Sequence, residues 1–182
     1  MALNTSKQRM KTVIIAFSAI VLLTACGASK KASTNYQVLD YQGKKMLRGV
    51  INRSLIESDT AFAWFKENMQ YGQPDAAAIV AFQQHKADIT MVIFGGTWCE
   101  DTQNLLPKFY KLVDKSGFPE SRITLIAVDK QKTTVNNLHI TYHITNVPTF
   151  IVLKSGKEIG RVVEYGKDGD MVKELGTIIS KL

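Results

Sequence analysis

The segment from Ile89 to the C-terminus alternates short apolar runs with helical patterns, and this order most constrains the fold. Ile89 to Phe94 is an apolar run that ends in Gly95-Gly96, which is typical of a buried strand entering a tight turn. The helical pattern after it has apolar residues on one face, at Leu105, Leu106, Phe109, Leu112 and Val113. Later patterns predict strands at 122–128, 149–153 and 158–164 and a short helix at 138–142. They also predict a final helix whose apolar face consists of Met171, Val172, Leu175, Ile178, Ile179 and Leu182. The order β-α-β-α-β-β-α predicts an α/β fold.

Residues 36–88 precede this unit and predict an N-terminal extension made of a β-hairpin and two helices. Residues 36–40 and 45–51 flank Gln42-Gly43, a pair that favours a hairpin turn. Helices are predicted at 59–69, with Asp59 as its cap, and at 75–86, with Pro74 at its opening. We therefore divide the body of the chain into an extension, 36–88, and a core, 89–182.

The N-terminus has the pattern of a secretory signal peptide. The first eleven residues carry three basic side chains and no acidic one, and an uncharged apolar run from Val13 to Ala25 follows. This run is shorter than the about 20 residues that a membrane-spanning helix needs. Leu23-Thr24-Ala25-Cys26 resembles the lipobox of bacterial lipoproteins. The resemblance implies cleavage before Cys26, a diacylglycerol on its sulfur and an acyl chain, such as palmitate, on its new amino group.

These features predict a lipid-anchored protein of the bacterial cell envelope. Residues 1–25 would be the signal peptide and residues 26–35 a lipidated, flexible tether. The anchored domain would lie on the extracytoplasmic side of a membrane, facing the periplasm or the cell surface. The chain has two cysteines, so lipidation of Cys26 would leave Cys99 as the only thiol, with no internal disulfide.

Charge gives little support to nucleic-acid binding. The formal net charge of +7 falls to +4 without Lys7, Arg9 and Lys11, which lie in the predicted signal peptide. The remaining basic residues are scattered and form no basic face interleaved with aromatic residues, so no nucleic-acid partner is expected.

Four features of residues 89–182 resemble the thioredoxin family. Trp98-Cys99 follows a buried strand and opens a helix, and Pro107 lies eight residues after the cysteine. Val147-Pro148-Thr149 precedes a strand, and residues 154–157 connect two strands as a hairpin. The resemblance implies a central mixed β-sheet flanked by helices and a cis Val147-Pro148 bond. It also implies a site with Cys99 as catalytic residue, supported by Trp98, Thr102, Val147 and Pro148.

The active motif departs from the family pattern. The family has Cys-x-x-Cys, whereas this chain has Cys99-Glu100-Asp101-Thr102, with threonine in place of the resolving cysteine. Ile93 occupies the position of the family's buried acid. A dithiol cycle within one molecule is therefore excluded, because release of a mixed disulfide needs a second thiol.

Two functions remain open from the sequence. In the first, Cys99 performs thiol-disulfide exchange alone and forms mixed disulfides with partner proteins or small thiols. The start of a helix favours a thiolate, aided by a hydrogen bond from Thr102, whereas Glu100 and Asp101 oppose it by a comparable amount. In the second, the domain is a non-catalytic module that binds peptides.

We expect no metal or other cofactor. His139 and His143 are four residues apart and would share a helix face, but the thioredoxin-like copper sites use a cysteine pair that this chain lacks. Ordinary surface histidines are the favoured interpretation. Gly95-Gly96 is a turn and not a phosphate-binding loop, because no Lys-Ser/Thr pair follows it.

Overall fold

The computed structural model describes Met1 and residues 34–182. The predicted lipidation site Cys26, most of the tether and all of the signal peptide except Met1 lie outside the described residues. The strands are β1 (Asn35–Tyr41), β2 (Lys44–Ile51), β3 (Ile89–Gly95), β4 (Ile123–Ala127), β5 (Thr149–Lys154) and β6 (Lys157–Val163). The α-helices are α1 (Arg53–Ser58), α2 (Trp64–Asn68), α3 (Ala76–His85), α4 (Glu100–Ser116), α5 (Leu138–Thr141) and α6 (Met171–Ile179). The predicted order from Ile89 onward is confirmed.

The six strands form one mixed sheet in the order β1-β2-β4-β3-β5-β6. β3 and β4 are parallel, and the other neighbouring strands are antiparallel. The carboxyl ends of β3 and β4 meet where Gly95 pairs with Ala127, and β5 begins at the same edge, with Thr149 opposite Phe94. This edge, which we call the thiol edge, receives the loop that carries Cys99. The α/β class with a central mixed sheet is confirmed.

Side chains alternate along β3 and supply two hydrophobic clusters, one on each face of the sheet. Ile89, Met91 and Ile93 join the larger cluster, which contains residues of α3, α4 and α6. Val92 and Phe94 join the smaller cluster on the opposite face. The strand is buried on both faces from Met91 to Gly95, and its sequence, apolar except for Thr90, lacks the alternation of a half-exposed strand.

The β1–β2 hairpin extends beyond the thiol edge. Gln42 and Gly43 form the turn with positive φ values of 53° and 75°, as a two-residue hairpin turn requires. β2 pairs with β4 only through residues 49–51, whereas it pairs with β1 over its whole length. Among the strands, residues 44–48 therefore pair only with β1, and they project about 17 Å past the end of β4. We call residues 37–48 the ribbon.

The helical part of the extension differs from the prediction. In place of one helix over 59–69, the chain forms a 3₁₀ turn at Thr60–Phe62 followed by α2, and α1 precedes this segment without having been predicted. Asp59 caps the start of this segment, because its carboxylate accepts a hydrogen bond from the Ala61 N–H. The interruption within 59–69 lies at Ala63, whose N–H donates to the Thr60 carbonyl and closes a 3₁₀ turn before α2 begins. α3 begins directly after Asp75, which follows Pro74 and caps the helix by accepting from the Ala78 N–H at 2.9 Å.

Within residues 34–182, no helix has both the length and the hydropathy needed to cross a bilayer.

Candidate thiol site

Cys99 is the N-terminal cap residue of α4. Its backbone is extended, its N–H donates to the Gly96 carbonyl at 2.9 Å, and its carbonyl accepts from the Gln103 N–H at 2.9 Å. The side chain is half-buried and packs against the smaller hydrophobic cluster. The sulfur therefore lies at the start of a seventeen-residue helix, near the free N–H groups of its first turn.

The Val147–Pro148 loop faces the sulfur. The Val147–Pro148 bond is cis, as the sequence predicts. The Cys99 Sγ lies 3.4 Å from the Val147 carbonyl oxygen, to which the thiol donates. Two further bonds hold this loop, because the Asn146 carbonyl accepts from the Thr149 hydroxyl at 2.7 Å and the Pro148 carbonyl accepts from the Glu164 N–H at 2.7 Å. The structure thus brings together three predicted site residues.

Thr102 supports the loop before Cys99. Its side chain is buried, and its hydroxyl oxygen accepts from the Gly96 N–H at 3.1 Å. Its methyl group lies so close to Gly95 that an added Cβ there would come within 2.9 Å of Thr102 Cγ2. The expected hydrogen bond from Thr102 to the Cys99 sulfur is not formed in the described part of the chain. The Thr102 hydroxyl faces the Gly96 N–H instead.

Trp98 forms a cover beside the thiol. The indole N–H donates to the Val128 carbonyl at 2.9 Å, and the ring lies over Gly96, where an added Cβ would come within 2.7 Å of it. The Lys130 ammonium lies 4.4 Å from the centroid of the Trp98 ring and 4.8 Å from that of Tyr41. A cation is therefore held between a core side chain and a side chain of the ribbon.

The ribbon and the cysteine loop are bonded to each other. The Thr97 hydroxyl accepts from the Leu47 N–H at 3.2 Å, a buried contact made where β2 has already passed the end of β4. The Gln103 side chain donates to the Thr97 carbonyl at 2.9 Å, and the Asn68 side chain donates to the Gln103 carbonyl at 2.9 Å. The extension therefore fixes the position of the loop that carries the thiol.

The surroundings of the Cys99 sulfur contain no buried acid at the position where the thioredoxin family has one. Ile93 is fully buried in the larger cluster, so the position of the family's buried acid is apolar. Glu100 and Asp101 lie in the first turn of α4, where carboxylates stabilise the helix. The structure thus places acid groups at the helix start and none beneath the thiol at position 93.

The two histidines do not share a helix face. α5 ends at Thr141, and His143 follows it with a φ of 51°. His139 Nδ1 accepts a hydrogen bond from the Thr134 N–H at 3.3 Å. Among residues 34–182, no three His, Cys, Asp or Glu side chains are grouped closely enough to hold a metal ion.

The sequence interpretation missed Tyr41, Thr97 and Lys130. A signal for Lys130 exists, because it follows a strand whose carboxyl end lies beside that of β3 in a parallel pair. Residues after such neighbouring ends meet at one edge. No local sequence pattern indicates that Tyr41 contributes to the site, because its position depends on how far the ribbon projects.

Comparison with known proteins shows which family this chain resembles. The thioredoxin family model matches residues 77–177, more than half of the chain. Thioredoxin H2 of Arabidopsis thaliana is 29% identical over 94 residues, 52% of this chain and 62% of that protein. The TPR repeat-containing thioredoxin TDX of the same plant is 29% identical over 79 residues, 43% of this chain and 19% of that protein. The chain thus spans less than two thirds of either curated relative.

One solved structure supports the fold by its superposition. An HIV epitope-scaffold crystal structure superposes with a TM-score of 0.51 at 17% identity, covering 71% of this chain and 91% of that one. Reduced Schistosoma mansoni thioredoxin is 28% identical with a TM-score of 0.38, covering 60% of this chain and 93% of that one. From its match to the family model over residues 77–177, the chain belongs to the thioredoxin family.

Proposed function

We propose that this protein performs thiol-disulfide exchange through Cys99 alone, as a membrane-anchored protein of the bacterial cell envelope. The observation that carries the proposal is the partly exposed residue Cys99 at the start of α4, with its sulfur 3.4 Å from the Val147 carbonyl oxygen. Thr102 occupies the fourth position of the motif and is buried. A thiol is thus accessible, and its neighbour on the helix has no sulfur with which to resolve a disulfide.

The reaction is one half of a dithiol cycle. The Cys99 thiolate attacks one sulfur of a client disulfide, forms a new disulfide with it and releases the other sulfur as a thiolate. The thiol proton passes to water or to the released thiolate. A second thiol from outside the chain, on a protein or a small molecule, then attacks the mixed disulfide and restores Cys99. Because that thiol is not built into the protein, the mixed disulfide persists until one arrives.

The Val147 backbone supports docking of an extended client segment. Its carbonyl accepts the thiol hydrogen of Cys99 in the described structure. Once Cys99 is deprotonated or joined to a client, that carbonyl becomes free to accept a backbone N–H from the client segment. Such backbone pairing binds an extended chain with little dependence on its sequence.

The anchor is the part of the proposal that depends on the sequence pattern alone. The short apolar run ending in Leu23-Thr24-Ala25-Cys26 supports acylation at Cys26. Two or more acyl chains on one residue exceed the two signals needed for stable anchoring. The clients would then be envelope proteins or small thiols on the extracytoplasmic side of the membrane.

Trapping of mixed disulfides tests the thiol chemistry. Envelope fractions of cells with the full chain or its Cys99→Ser variant are quenched with a thiol-blocking reagent and separated on non-reducing gels. We expect adducts of the wild-type protein that are absent from the variant and collapse when a small thiol is added. Identical patterns, together with a Cys99 that resists thiol reagents in the folded state, would refute the proposal. The protein would then be a thioredoxin-fold binding module.

A further inference from the structure

A groove of about 660 Å³ lies between the ribbon and the loop that carries Cys99. One wall comes from the ribbon and the helices of the extension, including Tyr41, Lys44 and Trp64. The other comes from the thiol edge, including Trp98, Gln103 and Lys130. The ribbon precedes the segment that matches the thioredoxin family model, which begins at residue 77. The groove is therefore built by an addition to the family domain.

The charge of the groove is mainly positive. Lys44, Lys45 and Lys130 line it, with Glu100 as the one acid among its described lining residues. Lys45 forms an ion pair with Asp59, whose pKa this hydrogen bond lowers, so its charge is already matched. Lys44 and Lys130 form no ion pair with a carboxylate of residues 34–182. Two cations thus remain available to an anionic ligand.

The Lys130 cation is fixed in place by its neighbours. The rings of Trp98 and Tyr41 hold the ammonium from two sides, at 4.4 and 4.8 Å. At the base of the ribbon, Arg48 Nε lies 3.1 Å from Asp129 Oδ2, and Arg48 Nη2 donates to the Thr133 hydroxyl at 3.0 Å. Because these contacts join the two walls, a ligand meets a cation whose position is largely set before binding.

We infer that this groove binds an acidic segment of a client protein, next to the client sulfur that Cys99 attacks. The inference rests on the proposed function and specifies its partner. Carboxylates of the client would contact Lys44 and Lys130, and apolar side chains between them would cover the rings of Trp64 and Trp98. Trp98 and Glu100, which flank the cysteine in sequence, both line the groove. A segment bound there therefore contacts both sequence neighbours of Cys99.

Binding can be measured without any thiol chemistry. The chain has two tryptophans, and both line the groove, so intrinsic fluorescence reports on its occupancy. Cys99→Ser protein is titrated with two peptides of equal length, one with three glutamates and one with glutamines in their place. We expect the acidic peptide to bind about fivefold more tightly, a preference that falls with added salt.

Lysine variants assign the preference to the groove. In the same Cys99→Ser background, Lys44→Gln should remove about half of the preference in logarithmic terms, and Lys44→Gln with Lys130→Gln should abolish it. Lys157→Gln is the matched control, because Lys157 is exposed on β6, the edge strand at the other side of the sheet. Lys44→Gln leaves the Trp98–Lys130–Tyr41 contact intact and guards against a simple loss of structure. Equal binding of both peptides, or a preference unchanged by the double variant, would overturn the inference.

A kinetic experiment separates this inference from the proposed function. Peptides with one cysteine are prepared as mixed disulfides with 5-thio-2-nitrobenzoate. Attack by Cys99 on the peptide sulfur joins the peptide to the protein and releases the coloured thiolate. We expect the acidic peptide to react about fivefold faster than the glutamine peptide. Equal rates would overturn the inference alone, whereas no reaction with either peptide or with a small neutral disulfide would overturn the proposed thiol function.

Discussion

Replacing Thr102 by valine separates a structural role of this residue from a chemical one. Valine keeps the shape and the methyl group near Gly95, but it removes the oxygen that accepts from the buried Gly96 N–H at 3.1 Å. A buried donor left without an acceptor costs about 1–3 kcal/mol. With a urea dependence of about 2 kcal/mol per molar, a loss of about 1.5 kcal/mol lowers the unfolding midpoint by about 0.8 M.

The assay combines urea unfolding with the rate at which Cys99 reacts with a small neutral disulfide. Thr102→Ser is the matched control, since it keeps the oxygen and loses one methyl group, at a cost of about 0.8 kcal/mol. We expect Thr102→Val to lose stability while its thiol rate stays within about twofold of wild type, because no hydrogen bond joins Thr102 to the sulfur in the described structure. Unchanged stability with a greatly slowed thiol would refute this reasoning.

Three further results are expected. Cys26→Ser should leave an unprocessed precursor without acyl chains, as judged by mass spectrometry of the membrane fraction, and an unacylated mature wild-type protein would contradict the anchor. Thr102→Cys should rebuild a Cys-x-x-Cys pair with Cys99 and confer insulin reduction in the presence of dithiothreitol that the wild type lacks. Gly176→Ala should lower the free energy of unfolding by about 1–3 kcal/mol, because the added methyl group would lie 2.6 Å from the Ala78 Cα where α6 crosses α3; unfolding at the wild-type urea midpoint would contradict that crossing.

The core elements could be predicted from the sequence because their signals are local. The β3 run ends at a glycine pair, and α4 carries a clear apolar stripe, so the position of Cys99 between them followed directly. The Val147–Pro148 loop required the family resemblance, since no local pattern indicates its approach to a residue 48 positions earlier. Its carbonyl nevertheless lies at the predicted place.

The rest depended on long-range contacts that a linear pattern does not carry. Thr102 was expected to donate to the sulfur, but packing against Gly95 and the N–H of Gly96 directs its hydroxyl away. The groove could not be predicted, because its shape depends on the register between β2 and β4. A pairing shifted along the strands would change how far Tyr41 and Lys44 project beyond the sheet. The sequence also does not indicate the 3₁₀ turn before Ala63, since the bond from the Ala63 N–H to the Thr60 carbonyl is a local change within an otherwise continuous apolar face.

The place of the ribbon's turn, away from the bonds between the ribbon and the cysteine loop, has an evolutionary consequence. The Gln42-Gly43 turn lies at the tip of the ribbon, outside the Leu47–Thr97 bond, so its length and sequence can change without altering that bond or the pairing of β3, β4 and β5 around the thiol edge. Insertions at Gln42-Gly43 would lengthen the wall of the groove and leave the helix start at Cys99 in place. Natural variation can therefore retune which segments are admitted to the sulfur while the sulfur's own surroundings stay constant, so the two traits can diverge independently among descendants of one ancestral gene.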